Sequence, residues 1–360
     1  MKRMFIKALI VFLIILAGAG AFILRTYYFA GEFRSMHPHY NGECIAVYGI
    51  PGSEDITIDR RHGLAFISSY DRRLYKAGLE VRGAIFSLDY KGITHVPHAL
   101  TTGFKSEFHP HGISLYQDPV GQTFIFAINH TRRGNSVEIF EYKGGRLEHL
   151  ETLTNPSLIS PNDILAVGRR KFYISNDHGS TTFPGRIIED FIPLKRSHLL
   201  YYNGETMTIA AGGIGGANGI ALSADGRTLY LSATTEKAIK VFKRDINTGG
   251  LTYQLSIPLG SFPDNIENNE ECILYVACMP KALTYMVHKK SNTTAPSQIF
   301  RVAKKGGNDY SVEEVYCDDG KNINAATVAA PFRDGMLLGA SRDMRNHILI
   351  CRNKAAQRDK

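Results

Sequence analysis

Ala217-Asn218-Gly219-Ile220 is followed by the turn Asp225-Gly226 and then by the apolar stretch Leu229-Tyr230-Leu231. An Asp-Gly turn between two such runs is a strong hairpin signal, so this stretch predicts two antiparallel strands, the first of which begins with polar residues. The same order of two polar or small residues, an Ile, a turn and an apolar strand recurs along the chain. This degenerate repeat decides the fold class.

Six copies of the repeat begin near residues 54, 111, 162, 218, 264 and 324, which places them 46 to 60 residues apart. The tripeptides that open them are Glu54-Asp55-Ile56, His111-Gly112-Ile113, Asn162-Asp163-Ile164, Asn218-Gly219-Ile220, Asp264-Asn265-Ile266 and, as the weakest copy, Asn324-Ala325-Ala326. A period of about 50 residues with room for four strands is typical of a propeller blade. We therefore predict an all-β protein, a six-bladed β-propeller with a central channel. An unrelated β-sandwich or a two-domain protein is the alternative.

Two further segments support four-stranded blades. Val137–Phe140 and Ile239–Phe242 are short, β-rich and alternate with period two, so they are predicted as third strands of their blades. A third segment breaks the pattern: in 183–196 apolar residues recur at roughly helical spacing. It predicts either a lid helix over one mouth of the propeller, in contact with substrate or membrane, or a short surface helix packed on one blade.

The composition fits a soluble globular domain. Of 360 residues, 44% are hydrophobic and 21% charged, and the net charge is +8, so wholesale disorder is excluded. The basic residues are scattered or lie at the two ends, without a basic stripe interleaved with aromatic residues. Nucleic acid is therefore not expected as a partner, whereas attraction to acidic surfaces stays open. No feature of the sequence bears on the oligomeric state.

The N-terminus predicts a hydrophobic helix. Ala8–Leu24 is a run of 17 residues without a charge, preceded by Lys2, Arg3 and Lys7. A spanning helix needs about 17–25 residues and the apolar part of a signal peptide about 7–15, so we predict an uncleaved signal anchor whose basic end lies in the cytoplasm.

This interpretation divides the chain into two parts, a basic start and signal-anchor helix over 1–30 and an exported, membrane-anchored propeller over 31–360. The alternative is a cleaved signal and a secreted protein, since Ala17-Gly18-Ala19 could serve as a cleavage site. In both cases the propeller is exported, to the extracellular space or the periplasm.

The five cysteines fit an exported protein. Cys44 and Cys351 bracket the repeats, and an oxidising compartment permits a disulfide between them. The other interpretation is that all five are small core residues. An odd number leaves at least one thiol free or paired with another molecule.

The repeat starts carry an unusual set of polar residues. The first strand of each blade lines the channel of a propeller, so these residues are expected to meet at the axis: Glu54, Asp55, His111, Asn162, Asp163, Asn218, Asp264 and Asn265. Carboxylates gathered in a channel repel one another and are costly to desolvate. Carboxylate and amide oxygens suit calcium, which takes 6–8 oxygen ligands. A single such tripeptide would be read as a turn or strand cap, but five in register predict a calcium site.

Two histidines lie close to these positions. His111 stands at a repeat start, and His130 ends the strand that follows, in Ile128-Asn129-His130. A lone histidine is more often structural or exposed. Because an unperturbed imidazole titrates near neutrality, a histidine beside a carboxylate–metal cluster is a candidate general base.

At these residues the sequence resembles the paraoxonase (arylesterase/lactonase) family, from about Cys44 to Cys351. The matching segments are Gly52-Ser53-Glu54-Asp55-Ile56, Pro110-His111-Gly112-Ile113-Ser114, Asn129-His130 with Val137-Glu138-Ile139-Phe140, Asn162-Asp163-Ile164, Ser175-Asn176-Asp177-His178, Ala217-Asn218-Gly219-Ile220 and Asp264-Asn265-Ile266. Each piece is weak alone, but the ordered set is specific. One departure is the loop at 70–75, which is more basic than the family's flexible active-site loop.

The resemblance implies two calcium ions in the channel. It implies that the catalytic ion is held by Glu54, Asn162, Asn218, Asp264 and Asn265. It implies that a structural ion is held by Asp55, Asp163 and the main-chain oxygen of Ile113. It further implies His111 as the general base with His130 as its partner, Asp177 and His178 as a supporting pair, and a disulfide between Cys44 and Cys351.

The activity that the resemblance implies is calcium-dependent carboxylic-ester hydrolysis. The expected substrates are small lipophilic lactones, including the acyl-homoserine lactones of quorum sensing, and aryl esters, with promiscuous organophosphate hydrolysis. The first alternative is a membrane-anchored, non-enzymatic propeller that acts as a binding or chaperone protein and keeps calcium for stability. The second is a sugar-lactone hydrolase of the gluconolactonase type.

Overall fold

The computed structural model describes residues 2–192, 194–291 and 293–354. Its elements before the first blade are α1 (Lys2–Phe29), β1 (His39–Tyr40) and β2 (Gly42–Tyr48). The first three blades are β3 (Ser53–Asp59), β4 (Leu64–Ser69), β5 (Ala84–Asp89) and β6 (His98–Ala99); β7 (Pro110–Gln117), β8 (Thr123–Thr131), β9 (Gly134–Lys143) and β10 (Arg146–Leu153); and β11 (Pro161–Gly168), β12 (Lys171–Asn176), β13 (Ser197–Tyr202) and β14 (Met207–Ile214). The end of the predicted domain, 355–360, lies outside the described residues.

Three more blades complete the ring. They are β15 (Ala217–Leu222), β16 (Thr228–Ala233), β17 (Ala238–Arg244) and β18 (Leu251–Pro258); β19 (Phe262–Asn268), β20 (Leu274–Met279), β21 (Ser297–Gly306), β22 (Asp309–Asp318) and the added β1; and β23 (Val328–Phe332), β24 (Gly335–Gly339), β25 (His347–Asn353) and β2. The helices between strands are α2 (Arg72–Lys76), α3 (Phe183–Phe191) and α4 (Ala282–His288). The six-bladed propeller is confirmed, and the predicted third strands lie in β9 and β17.

The first strand of each blade faces the axis. Neighbouring inner strands contact one another in sequence around the ring, and β23 closes it against β3. Five of the six inner strands carry a register shift at the repeat tripeptide, between Ser53 and Asp55, Pro110 and Ile113, Pro161 and Ile164, Ala217 and Ile220, and Pro263 and Ile266. Because a bulge re-aims the side chains of its strand, these shifts turn the polar tripeptides toward the axis.

The sixth blade differs from the other five. The tripeptide predicted to open it, Asn324-Ala325-Ala326, precedes the inner strand, which begins only at Val328 and pairs with β24 in unbroken register. The predicted start of the sixth repeat is therefore wrong by a few residues. The inner strand of this blade, Val328–Phe332, consists of apolar residues, which accounts for its weak sequence signal.

The apolar core lies between the blades and leaves the axis polar. Six hydrophobic clusters each join two adjacent blades. Phe66 and Ile125, for example, pack together between the first and second blades, and Tyr173 and Leu231 between the third and fourth. Since the strands alternate, residues that do not face these clusters are free to be polar.

The ring is closed by the N-terminal strand. β2 pairs with β25 as the outermost strand of the sixth blade, in a register that places Cys44 opposite Cys351. The two cysteines form a disulfide across 307 residues, as the sequence analysis predicted. Cys272, Cys278 and Cys317 are free.

The predicted N-terminal helix is also present. α1 extends over 28 residues, or about 42 Å at 1.5 Å per residue. Its Arg3–Phe29 portion is long and apolar enough to cross a membrane, and the apolar window within it is not buried in the propeller. At the end of the helix, Phe29 packs edge-on against Phe262, with 5.6 Å between the ring centroids. The segment predicted as a lid forms α3, which ends five residues before Arg196.

Replacing both disulfide cysteines, C44S/C351S, is expected to lower the free energy of unfolding by about 2–5 kcal/mol, because the bond closes a very long loop in the unfolded chain. The measurement is urea unfolding of the full chain in detergent. The control is C272S, which removes a free thiol. Equal stabilities of the three proteins would contradict a role for the disulfide in holding the ring closed.

Candidate metal and active site

Large and small residues alternate where adjacent inner strands meet. The central residue of the tripeptide is Asp55 in the first blade and Asp163 in the third, but glycine in the second and fourth. A Cβ at Gly112 would lie 2.6 Å from the Cα of Asp163, and one at Gly219 would lie 2.5 Å from the Cα of Asn265. Glycine is therefore needed at these two positions so that the polar residue of the next blade can approach the axis.

Asp55 and Asp163 each connect two blades. Asp55 accepts hydrogen bonds from the main-chain N–H of Ile56 at 2.8 Å and of Ile113 at 2.7 Å. Asp163 accepts from Ile164 and Ile220, both at 2.7 Å. Both carboxylates are buried. The main-chain oxygen of Ile113 is one of the predicted ligands of the structural calcium. In the structure Ile113 contacts Asp55 through its main-chain N–H, and its carbonyl oxygen takes no part in this hydrogen bond.

Four buried oxygens at the axis have no hydrogen-bond partner. They are Glu54 Oε2, Asn162 Oδ1, Asn218 Oδ1 and Asn265 Oδ1, and they come from four different blades. Buried polar atoms are nearly always paired, so four buried acceptors without a partner on the inner strands are a set that a bound cation would satisfy. All four residues belong to the set predicted to bind calcium, and the fifth, Asp264, faces the side-chain amide of Asn218.

The pKa values of the four axial carboxylates also bear on whether a cation would fit between them. Burial, and then the charge of Glu54, raise the pKa of Asp55 to about 8. Burial also raises the pKa of Asp163 and Asp264, with Asp55 and Glu54 respectively as the next causes. Burial opposes ionisation of Glu54 as well, but His111 and Arg72 lower its pKa. A divalent cation would let all four carboxylates ionise together.

His111 and His130 form a directed chain of hydrogen bonds. His111 Nδ1 lies 2.9 Å from His130 Nε2, and His130 Nδ1 lies 2.7 Å from Asn135 Oδ1. Asn135 donates its amide N–H to the carbonyl of Leu158 at 2.8 Å, so its oxygen faces His130 and can only accept. His130 therefore carries its proton on Nδ1 and accepts from His111 Nδ1–H, which leaves His111 Nε2 as a free base.

The free nitrogen of His111 faces the candidate metal site. His111 Nε2 lies 3.4 Å from Glu54 Oε1, and the ring of His111 is partly exposed at the mouth. Burial, and next the proximity of His111, lower the pKa of His130 to about 3, so His130 stays neutral. A neutral partner preserves the tautomer on which the basicity of His111 Nε2 depends.

Asp177 and His178 form a strong pair beside this chain. His178 bonds Asp177 Oδ1 at 2.7 Å and Asp190 Oδ1 of α3 at 3.1 Å. Burial alone would raise the pKa of Asp177, but the bond to His178 lowers it to about 2. Despite burial, the two carboxylates raise the pKa of His178 to about 10. Asp177 also lies 3.4 Å from the amide nitrogen of Asn162, so the pair connects α3 to the candidate metal site.

The basic segment at 70–75 forms the short helix α2 at the same mouth. Arg72 is buried and donates to the main-chain oxygen of Gly52 at 3.1 Å, next to Glu54. Arg73 donates to the carbonyls of Arg342 and Ser291, both at 2.8 Å. The arginines thus hold α2 against the mouth, and the extra positive charge of this segment is used within the fold.

The structure brings the predicted site residues together at one end of the channel. Residues that the sequence analysis missed are Asn135, Asp190 and Glu267, whose pKa is raised by burial and by Asp55. Asn135 could have been found, because a tight turn at Arg132-Arg133 pairs His130 with Asn135 across the β8–β9 hairpin. Asp190 could not, since its contact depends on where α3 docks.

Comparison with known proteins agrees with this geometry. Residues 42–351 match the family model described as arylesterase. The chain is 29% identical over 321 residues to serum paraoxonase/lactonase 3 of Oryctolagus cuniculus, which covers 86% of this chain and 89% of that protein. It is 30% identical over 317 residues to human serum paraoxonase/arylesterase 1, which covers 85% and 88%.

Solved structures share the fold at lower identity. A luciferin-regenerating enzyme superposes with a TM-score of 0.55 at 12% identity, covering 87% of this chain and 96% of that one. A putative gluconolactonase superposes with a TM-score of 0.53 at 13% identity, covering 90% and 96%. The class defined by fold and site is therefore a propeller hydrolase of the ester or lactone type. The chain belongs to the arylesterase family, which includes the paraoxonases.

The Asp177–His178 pair predicts a pH-dependent contribution to stability. The pKa of His178 rises from 6.5 to about 10 on folding, so its contribution is complete below 6.5 and is lost as the pH rises through about 10. The pKa of Asp177 falls from 3.8 to about 2, so its contribution is complete above 3.8 and is lost as the pH falls through about 2. H178N should therefore cost most stability between about pH 4 and 6.5 and progressively less above that window.

The measurement is the difference in unfolding free energy between wild type and H178N from pH 4 to 10. The control is H95N, since the ring of His95 bonds to the main-chain oxygen of Asp89 rather than to a carboxylate. A difference for H178N that stays constant with pH would show that the pair does not behave as an ion pair.

Proposed function

We propose that the protein is a calcium-dependent hydrolase of lactones and aryl esters, with His111 as the general base. The observation that carries the proposal is the convergence of unpaired buried oxygens on Glu54, Asn162, Asn218 and Asn265 beside the free Nε2 of His111. An oxygen-rich cation site next to a correctly protonated base is the arrangement that activation of water and of a carbonyl requires.

The residues at the axis fit calcium in number and type. Glu54, Asn162, Asn218, Asp264 and Asn265 would hold a catalytic ion. Asp55, Asp163 and the carbonyl of Ile113 would hold a structural ion. When bound, calcium supplies a positive charge that polarises the carbonyl oxygen of the substrate and stabilises the oxyanion.

His111 would perform the proton transfers. Its Nε2 accepts a proton from water as the water oxygen attacks the carbonyl carbon, and later gives this proton to the departing alkoxide or phenoxide. Glu54 lies 3.4 Å away and stabilises the imidazolium that forms between these steps. His130 keeps the Nδ1 proton of His111 in place. The Asp177–His178 pair holds Asn162 and α3 in position beside the site.

The surroundings of the mouth favour lipophilic substrates over sugar lactones. α3 exposes Phe183, Ile187, Ile188 and Phe191 and is joined to the mouth by the Asp190–His178 contact. Long acyl chains, such as those of acyl-homoserine lactones, would bury apolar surface against this helix. Organophosphates, whose phosphoryl oxygen resembles a polarised carbonyl, would be secondary substrates.

We further infer that residues 1–30 anchor the exported propeller, 31–360, in a membrane. Glu32 caps α4 by accepting hydrogen bonds from Leu283 at 2.9 Å and Thr284 at 3.1 Å, and Arg73 of α2 donates to the carbonyl of His288 in α4. The end of α1 is thereby connected to the mouth. N-terminal sequencing of the mature protein distinguishes this arrangement from a cleaved signal and a secreted enzyme.

Removal of calcium by a chelator is expected to abolish hydrolysis of a long-chain lactone, and added calcium to restore it. H111Q should lower kcat by about 100-fold or more, since general-base catalysis contributes about 10²–10⁴, while calcium still raises the thermal stability of H111Q. D264A should lower both activity and calcium affinity. The assay is lactone hydrolysis followed by pH indicator, with a hydrophilic sugar lactone as the comparison substrate.

Other results of these experiments would favour one of the alternative functions or exclude the mechanism. Faster hydrolysis of the sugar lactone would favour the gluconolactonase alternative. An inactive protein that calcium nevertheless stabilises would favour the non-enzymatic binding propeller. Activity unaffected by chelation, or by H111Q together with D264A, would exclude the proposed mechanism.

N135D tests the directed hydrogen-bond chain. A carboxylate in place of the amide oxygen, 2.7 Å from His130 Nδ1, is expected to raise the pKa of His130 well above about 3, because it stabilises the imidazolium. A protonated His130 can no longer accept from His111, so the acidic limb of the pH–kcat profile should move to higher pH. N155D, on the nearby surface, is the control. An unchanged profile for N135D would contradict the chain.

A further inference from the structure

A second cluster of metal-binding residues lies on the outer edge of the fifth blade. β1 pairs with β22 there, and β22 pairs with β21, so that His39, Cys317 and Gln298 form one row across three strands. Cys317, in the middle of the row on β22, is three strands from β19, the inner strand of the same blade. This separation is about 14 Å at 4.7–4.9 Å per strand. The cluster is thus separate from the channel.

A bulge adds a carboxylate to this row. The partners of β21 along β22 jump from Tyr316 to Glu314 between Ile299 and Phe300. In a regular strand Glu314 and Cys317, three residues apart, would point to opposite faces. The extra residue in β22 brings both to the same face, where Gln298 donates a hydrogen bond to Glu314 Oε2.

The three side chains converge closely enough to share one ion. Ligand atoms of His39, Glu314 and Cys317 all lie within 4.8 Å of one another, and His39 Nδ1 lies 3.7 Å from Glu314 Oε1. Zinc bonds of about 2.0–2.3 Å place tetrahedral ligands roughly 3.5 Å apart, so the three ligand atoms would move closer together on binding. His39 Nδ1 hydrogen-bonds the main-chain oxygen of His37 at 3.0 Å, a contact that metal binding through this nitrogen would replace. His39 is half exposed, whereas Cys317 is buried.

The chemistry of the three ligands selects the metal. Sulfur and imidazole nitrogen suit zinc and similar borderline cations, whereas calcium binds oxygen alone. Three protein ligands leave one position for water. Gln298 Oε1 is buried without a hydrogen-bond partner, and Gln298 is only 7% exposed, so a metal-bound water could supply the donor that this oxygen lacks.

We propose that His39, Glu314 and Cys317 form a zinc site, distinct from the axial site, that clamps the segment between α1 and the propeller to the fifth blade. Zinc binds the Cys317 thiolate, and the thiol proton passes to solvent, so no oxidant or reductant is involved. β1 has only two residues, and its two residue pairs with β22 hold it weakly. A metal bond to His39 would hold this strand more firmly.

Cobalt(II) provides the spectroscopic test. The full chain in detergent, saturated with calcium and freed of other metals, is titrated with cobalt, and a thiolate-to-cobalt charge-transfer absorption is expected at one equivalent. Zinc should displace the cobalt and remove the absorption. C317S should lose it, while C272S, which removes the partly exposed free thiol, should retain it.

A second variant covers the case in which C317S fails to fold. H39A changes an exposed side chain and should weaken zinc binding by about tenfold or more, since loss of even an outer partner of a ligand costs 10–100-fold. H62A, at a surface histidine paired with Asp59 but with no cysteine nearby, should leave zinc affinity unchanged. Calcium-dependent hydrolysis should persist in all these variants. Absence of the charge-transfer absorption, or its persistence in C317S, would overturn the proposal.

Discussion

Asp55 and Asp163 hold the inner strands together from positions where burial opposes their ionisation. Each accepts a main-chain N–H from its own strand and one from the next blade, so the spacing of the blades at the axis depends on two carboxylates that repel Glu54 and each other. Acceptors of this kind are strongest when charged, and a cation in the channel would favour the charged form. The fit of the blades at the axis would then depend on whether a cation is bound.

The apolar contacts between the blades stabilise the propeller, and the polar residues at its axis form the candidate site. Six clusters between the blades supply the buried apolar area that stabilises the ring, whereas the axis positions the chemistry. Because five of the six blades each contribute one or two polar side chains to the axis, the oxygens of Glu54, Asn162, Asn218 and Asn265 are held by backbone from four directions. Such preorganisation suits an ion that accepts irregular geometry.

Residues in the repeat were the most predictable part of the molecule. The alternation of Asp55, Gly112, Asp163 and Gly219 reflects the close approach of neighbouring strands, so both the fold and the polar residues at the axis could be predicted from it. The start of the sixth blade was misplaced because the inner strand of that blade has no polar residue to mark it. Asp190 and Glu314 depend on the docking of α3 and on a bulge in β22, and neither is visible in local sequence. The two residues of β1 are too few to give any strand signal.

The Cys44–Cys351 disulfide can form only after the end of the chain has been synthesised. The strand made second, β2, has as its partner the last strand of the chain, so during synthesis it stays without a neighbour while some 300 residues follow. At about 5–20 residues per second this interval lasts roughly 15–60 s for a separation of 307 residues. An unpaired strand and an unpaired thiol are exposed throughout that time. The ring is thus most open to mispairing before its final blade emerges, and synthesis speed becomes a determinant of correct closure.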